Sequence, residues 1–166
     1  MESVLVAVVG VVGTLFGSGL TGFLSQRQAR SEAIRHLAVQ ERQTAAAALS
    51  SAAAAILDYR SIELSRLHRV WEKRADGKDI SFGDDELSTK VREARRKAWQ
   101  AVFQFRTISD NASLHERLES LLEELTSLKE ASSLEQAVRQ SREARSELAG
   151  LLDGFRSARS GGMRGD

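Results

Sequence analysis

The 166 residues carry 24 basic and 23 acidic side chains, and a net charge of +1 gives no bulk argument for nucleic acid as a partner. Cysteine is absent, which excludes a disulfide scaffold, thiolate metal sites and a cysteine nucleophile. There is no proline and aromatic residues are few, while Ala, Leu, Glu and Arg abound, a balance that favours long helices over sheets.

The first element is the apolar run Val4–Leu24, without a charge between Glu2 and Arg27. As a helix its 21 residues span about 31 Å, the thickness of a bilayer's hydrocarbon core. The run predicts a single-pass transmembrane anchor over residues 1–25. A cleaved signal peptide is disfavoured: Met1-Glu2-Ser3 offers no Lys or Arg, no A-x-A site follows, and the run exceeds the usual apolar region of roughly 7–15 residues. Arg27, Arg30, Arg35 and Arg42 follow the run, so the positive-inside rule predicts the N-terminus outside and the helical domain in the cytoplasm. Arg27 and Arg30 are expected to meet anionic headgroups. Gly13 and Gly17 form G-x-x-x-G, extended by Thr21, and Gly10, Thr14, Ser18 and Gly22 form a second line of small residues. Such stripes let two backbones approach closely, which predicts transmembrane helix packing, against the plainer reading that glycine is simply common in membrane spans.

Residues 26–44 form a polar helical stalk with isolated apolar side chains at Ile34, Leu37 and Val39. Two alanine blocks follow, then a stripe at Ala45, Leu49, Ala52, Ile56, Tyr59, Leu67 and Val70, widened by Leu64 and Trp71 and interrupted by Glu63. That spacing is helical and predicts a packed face. The segment ADGKDISFG at residues 75–83 reads as a connecting loop. A second helix is expected from about Asp84 to Ile108, opened by Asp84, Asp85 and Glu86, with its seam at Leu87, Val91, Ala94, Ala98, Ala101, Phe105 and Ile108 and with Trp99, Val102 and Phe103 beside it. After the turn Ser109–Asn111, Ser113 and Glu116 fit a capping box. The third seam is Leu114, Leu118, Leu121, Leu125 and Leu128, broadened by Leu122. Its phase slips at residues 131–133, marking a break or kink in preference to a continuous helix of altered winding. A fourth seam runs through Leu134, Ala137, Ser141, Ala144, Leu148, Leu151 and Phe155.

Together these elements predict an all-α fold: a single N-terminal transmembrane helix followed by a long-helix antiparallel bundle or coiled coil of three or four helices. The bundle domain is expected over residues 45–158, with a disordered tail over 159–166.

Chemistry is sparse. His68 and Glu72, Glu32 and His36, and His115 and Glu119 lie four apart and could touch, but the Glu-x-x-His pattern of di-iron bundles is missing and no metal or other cofactor is expected. No nucleophile elbow, phosphate loop or strand-led dinucleotide motif occurs. No catalytic residues and no enzyme activity are predicted. The densest charge cluster is Lys90, Arg92, Arg95, Arg96 and Lys97 on the second helix. It reads either as a contact for an anionic partner, lipid or nucleic acid, or as a solvated face balanced by nearby carboxylates. The solvated reading is preferred because no aromatic side chain interleaves the cluster for base stacking.

The run GLTGFLSQRQARSEAIRHLAVQERQ, the alanine-rich helix with Asp58-Tyr59-Arg60, and His68 with Trp71 resemble the small actinobacterial proteins of the KilB type, related to the Kil/spread proteins of Streptomyces conjugative plasmids. The resemblance covers roughly residues 1–75. The excess of Arg over Lys, typical of GC-rich genomes, agrees with an actinobacterial source. The resemblance implies a membrane-associated protein that aids plasmid spread and supplies no functional residues. The resulting expectation is a membrane-anchored helical interaction or scaffold protein, with a protein partner or a homo-oligomer and no nucleic acid. Two alternatives stand beside it: a membrane-perturbing, holin- or toxin-like oligomer, and an anionic-lipid or nucleic-acid binder acting through residues 90–97.

Overall fold

A computed structural model describes the backbone of residues 2–77 and 86–161, and the side chains of residues 32–77 and 86–158. The described residues are all-helical, without strands. The helices are α1 (Glu2–Ala75), α2 (Glu86–Ile108), α3 (Ala112–Ser127) and α4 (Leu134–Gly161), with a 3-10 turn at Leu128–Glu130. The chain divides into two units, Met1–Gln43 and Thr44–Asp166.

In the first unit, Ile34, Leu37 and Val39 are exposed, as expected of isolated apolar side chains on a polar helix. Among the described residues no helix is long and apolar enough to cross a membrane. The predicted anchor therefore draws no support from them. The run Val4–Leu24, with its packing residues Gly10, Gly13, Thr14, Gly17, Ser18, Thr21 and Gly22, lies outside the described side chains, as do Arg27 and Arg30.

The second unit is built by burying one stripe of each helix in a common core. From α1 come Leu49, Ala52, Ala53, Ile56, Tyr59 and Leu67, and from α2 Val91, Ala94, Ala98, Val102 and Phe105. All six leucines of the predicted third seam are buried, and α4 adds Ala137, Ala144, Leu148 and Leu151. Alanines at 52, 94, 98 and 137 are almost fully covered, so helix backbones approach closely where Ala is the buried residue. Helices α2 and α3 run antiparallel. Arg106 meets Glu119 across the turn that joins them (3.3 Å), and Arg92 and Lys129, at their far ends, line one cleft. Helix α1 is held to α3 and α4 by side-chain hydrogen bonds: the Tyr59 hydroxyl donates to Thr126 on α3 (3.4 Å), and Arg60 Nε donates to the Ser141 carbonyl on α4 (2.8 Å).

The helix ends follow local chemistry. Helix α1 stops where Gly77 takes a left-handed conformation (φ 70°) and donates its N–H to the Arg74 carbonyl. Helix α2 begins at Glu86; Asp84 and Asp85, expected in its first turn, lie outside the described residues. The opening of α3 departs from the predicted Ser113–Glu116 box. Asn111 is the cap, its side-chain oxygen accepting the Leu114 N–H at 3.1 Å, because an Asx acceptor before the first turn reaches that donor directly. The phase slip at 131–133 is a true break. Ser133 Oγ accepts the Gln136 N–H (3.1 Å), and the Gln136 side chain accepts from the Ser132 N–H and hydroxyl. This reciprocal arrangement restarts the helix as α4. Helix α4 then continues to Gly161, three residues into the predicted tail. Three further departures concern single side chains. Ala101 is only half-buried while Val102 takes its place, and Ile108 is exposed. His115 is buried edge-on against Phe105 (5.0 Å, 79°), while Glu119, its expected partner, pairs with Arg106.

Candidate functional site

The polar side of α2 concentrates the chemistry. Val91, Ala94, Ala98, Val102 and Phe105 turn inward, which leaves Lys90, Arg92, Arg95, Arg96 and Lys97 exposed. These five do not act as one cluster. Lys90 is ion-paired with Glu86 one turn back (2.6 Å), and the bond lowers the Glu86 pKa. Arg92, Arg95 and Arg96 line an open groove with Trp99, Gln100 and Phe103, about 580 Å³ in volume. Trp99 and Phe103, one turn apart, stack obliquely with centroids 5.6 Å apart, and Phe103 is 51% exposed. No aromatic side chain lies within the cluster itself; the two rings follow it on the same helix. Spacing places both rings on the outward flank, one and two turns beyond Arg95.

Behind Arg92 and Arg95 lies a second feature, a cleft of about 250 Å³ between α1, α2 and the end of α3. Its walls carry Tyr59, Glu63 and Arg66 from α1, Ser88, Arg92 and Arg95 from α2, and Thr126 and Lys129. Glu63 is 1% exposed yet sits in the apolar stripe of α1. A buried carboxylate needs a fixed counter-charge, and Arg66 supplies a two-pronged one through Nε (3.0 Å) and Nη2 (2.5 Å). Thr126 accepts from Tyr59 and donates to the Leu122 carbonyl (2.8 Å), so the hydroxyls form a short chain along the wall. The Glu63–Arg66 pair and the stacking of Trp99 on Phe103 escaped the sequence reading, which placed the two rings only beside the seam. An i,i+3 Glu–Arg pair inside an apolar stripe was the available signal for the first.

Tyr59 is the single tyrosine of the chain. Burial raises its pKa above 10.0, the hydrogen bond to Thr126 opposing and the Glu63 charge reinforcing the shift. Below pH 10 the hydroxyl is protonated in folded and unfolded chains alike. Above it the unfolded chain loses the proton first, so this contribution to stability falls as pH rises past the unfolded value. Tyr59→Phe should flatten that alkaline decline. The tyrosinate absorbance of the folded protein should appear at higher pH than that of the denatured chain.

Elsewhere in the bundle, His115 Nε2 and Ser141 Oγ are buried without a hydrogen-bond partner among the described residues. No three His, Asp or Glu side chains among the described residues come together as a metal site.

A model of the KilB plasmid transfer protein family matches residues 46–158, from the alanine blocks of α1 to the last turns of α4. The chain belongs to this family. No curated protein and no solved structure matches it. The KilB match takes in the whole cleft and the Trp99–Phe103 face. It falls on the bundle, whereas the resemblance drawn from residues 1–75 rested largely on the run Gly19–Gln43, which the match does not include.

Proposed function

We infer that this KilB-family chain acts in plasmid transfer as a membrane-anchored, non-catalytic helical interaction protein, and that α2 presents the surface it uses. The observation that carries this reading is the outward face of α2. Arg92, Arg95 and Arg96 flank a stacked pair, the half-buried Trp99 and the exposed Phe103, on a bundle whose helices bury their apolar stripes in one core. Aromatic and Arg side chains dominate the energetics of protein interfaces. The anchor is supplied by the apolar run Val4–Leu24, and the arginines that follow it put the bundle on the cytoplasmic side.

Two variants test the surface. Phe103→Ala should leave bundle stability within about 1 kcal/mol of the parent, because half of the ring already meets water. Combined with Trp99→Ala it should lower plasmid transfer between mating strains. It should also abolish cross-linking from a photoreactive residue at Gln100 to a neighbouring protein, or to a second copy. Unchanged transfer and cross-linking would remove the surface from the mechanism. Sidedness is read separately. The chain has no cysteine, so Ser146→Cys, on an exposed turn of α4, should react with an impermeant thiol reagent only after lysis.

A further inference from the structure

We propose that the cleft between α1, α2 and the end of α3 is a binding site for a phosphate group, carried by a soluble phosphomonoester or by a lipid headgroup. The site is distinct from the partner surface proposed above, although Arg92 and Arg95 border both.

The charge balance of the cleft leads there. Among the described residues its one carboxylate is Glu63, held by both prongs of Arg66, so that pair is neutral as a unit. What remains is positive: Arg92 and Arg95 from α2 and Lys129 from the turn after α3. Among the described residues none of the three has an ion-pair partner, and Arg92 reaches only the Thr89 hydroxyl, at 3.5 Å. Other cations of the same helix are served differently. Lys90 has Glu86, and Arg106 has Glu119. Three like charges from two separate elements converging on one 250 Å³ space repel one another, and an anion between them removes that repulsion.

The neutral groups select the kind of anion. The Tyr59 hydroxyl and Thr126 stand in the wall. Burial keeps Tyr59 protonated and therefore a donor, and its bond to Thr126, at 3.4 Å, is long enough to be exchanged for a better acceptor. Two arginines, a lysine and a phenol offer more donors than the two oxygens of a carboxylate can use. A phosphate monoester brings close to two negative charges and three strong acceptor oxygens, and suits an Arg cluster of this kind. The volume lies below the roughly 300–1,000 Å³ of drug-sized ligand sites. The cleft therefore holds the phosphate and little of what bears it.

The test is calorimetric titration of the purified full chain in neutral detergent with inorganic phosphate, O-phosphoethanolamine and, at matched ionic strength, acetate. Both phosphates should bind saturably and acetate should not. Arg95→Ala and Lys129→Gln alter exposed side chains and should preserve helix content by circular dichroism. Each should weaken phosphate binding about tenfold or more, the equivalent of one charged hydrogen bond. Arg106→Ala, which removes a positive charge from α2 away from the cleft, should leave binding unchanged. Micelles doped with phosphatidic acid separate the two sources. Suppression of the soluble titration marks a headgroup site, and an unchanged titration marks a soluble phosphomonoester. Absence of saturable phosphate binding overturns the proposal, as does equal binding of acetate or equal weakening by Arg106→Ala.

Discussion

Phe105→Ala should lower the unfolding free energy of the bundle by about 3–5 kcal/mol, a large part of the stability of a domain this size. Phe105 is fully buried where α2 meets α3, and its ring receives the edge of His115 at a centroid distance of 5.0 Å. Removing the ring takes away its transfer free energy and the aromatic contact, and opens a cavity beside the His115 Nε2 that already has no partner among the described residues. The neighbours cannot close that cavity easily: Leu118, Leu122 and Val102 are themselves almost fully covered, on helices fixed by further contacts. Urea unfolding followed by circular dichroism measures the loss. Phe103→Ala is the internal comparison, the same side chain two positions earlier and on the opposite side of the helix. A small loss at 105, or equal losses at 103 and 105, would contradict the placement of the two rings.

That contrast also shows where the sequence was legible. The period of the apolar residues gave a bundle of three or four helices, the break near residue 131 and nearly every inward position of α3 and α4, because burial of one stripe dominates the energetics of a helix. It was less exact on α2. The 4-3 spacing from Leu87 to Ile108 assumes 3.5 residues per turn, whereas a straight helix drifts about 20° per heptad from that repeat. After three heptads Ile108 has moved off the core and is 38% exposed, and Val102 is buried where Ala101 was expected. The candidate site was harder to read. Composition showed the basic cluster on α2, but whether Trp99 and Phe103 fill the seam or stand outside it depends on the neighbours of α2, and the period alone allows either. Lys129 and Tyr59 are 70 positions apart in the sequence, and only the packing of α3 on α1 makes them walls of one cleft.

Arg66→Ala should be about as costly as Phe105→Ala, for an electrostatic reason. Glu63 occupies a position in the apolar stripe of α1 where its neighbours by spacing, Ile56, Tyr59, Leu67 and Val70, belong to the core. Its carboxylate is stable there because Arg66 grips both oxygens. With Arg66 gone, a side chain only 2% exposed faces a low-dielectric wall without its counter-charge, a situation that typically costs about 3–5 kcal/mol. Glu63→Ala should cost less, about 1–3 kcal/mol, since Arg66 is 13% exposed at the cleft and can turn its guanidinium toward water. The asymmetry follows from which partner is buried, and it would invert if the guanidinium were the inner group. Replacing both residues by methionine should restore most of the loss or exceed the parent, because burying two charges carries a desolvation cost that apolar side chains of similar size do not. A double-mutant cycle on thermal unfolding, from the two alanine variants and the double alanine variant, measures the coupling, with the double methionine variant measured beside it. A coupling near zero would mean that the pair contributes nothing and that Glu63 finds its stabilisation elsewhere. A large favourable coupling, with the double methionine variant at least as stable as the parent, would show that the ion pair serves the cleft and not the fold.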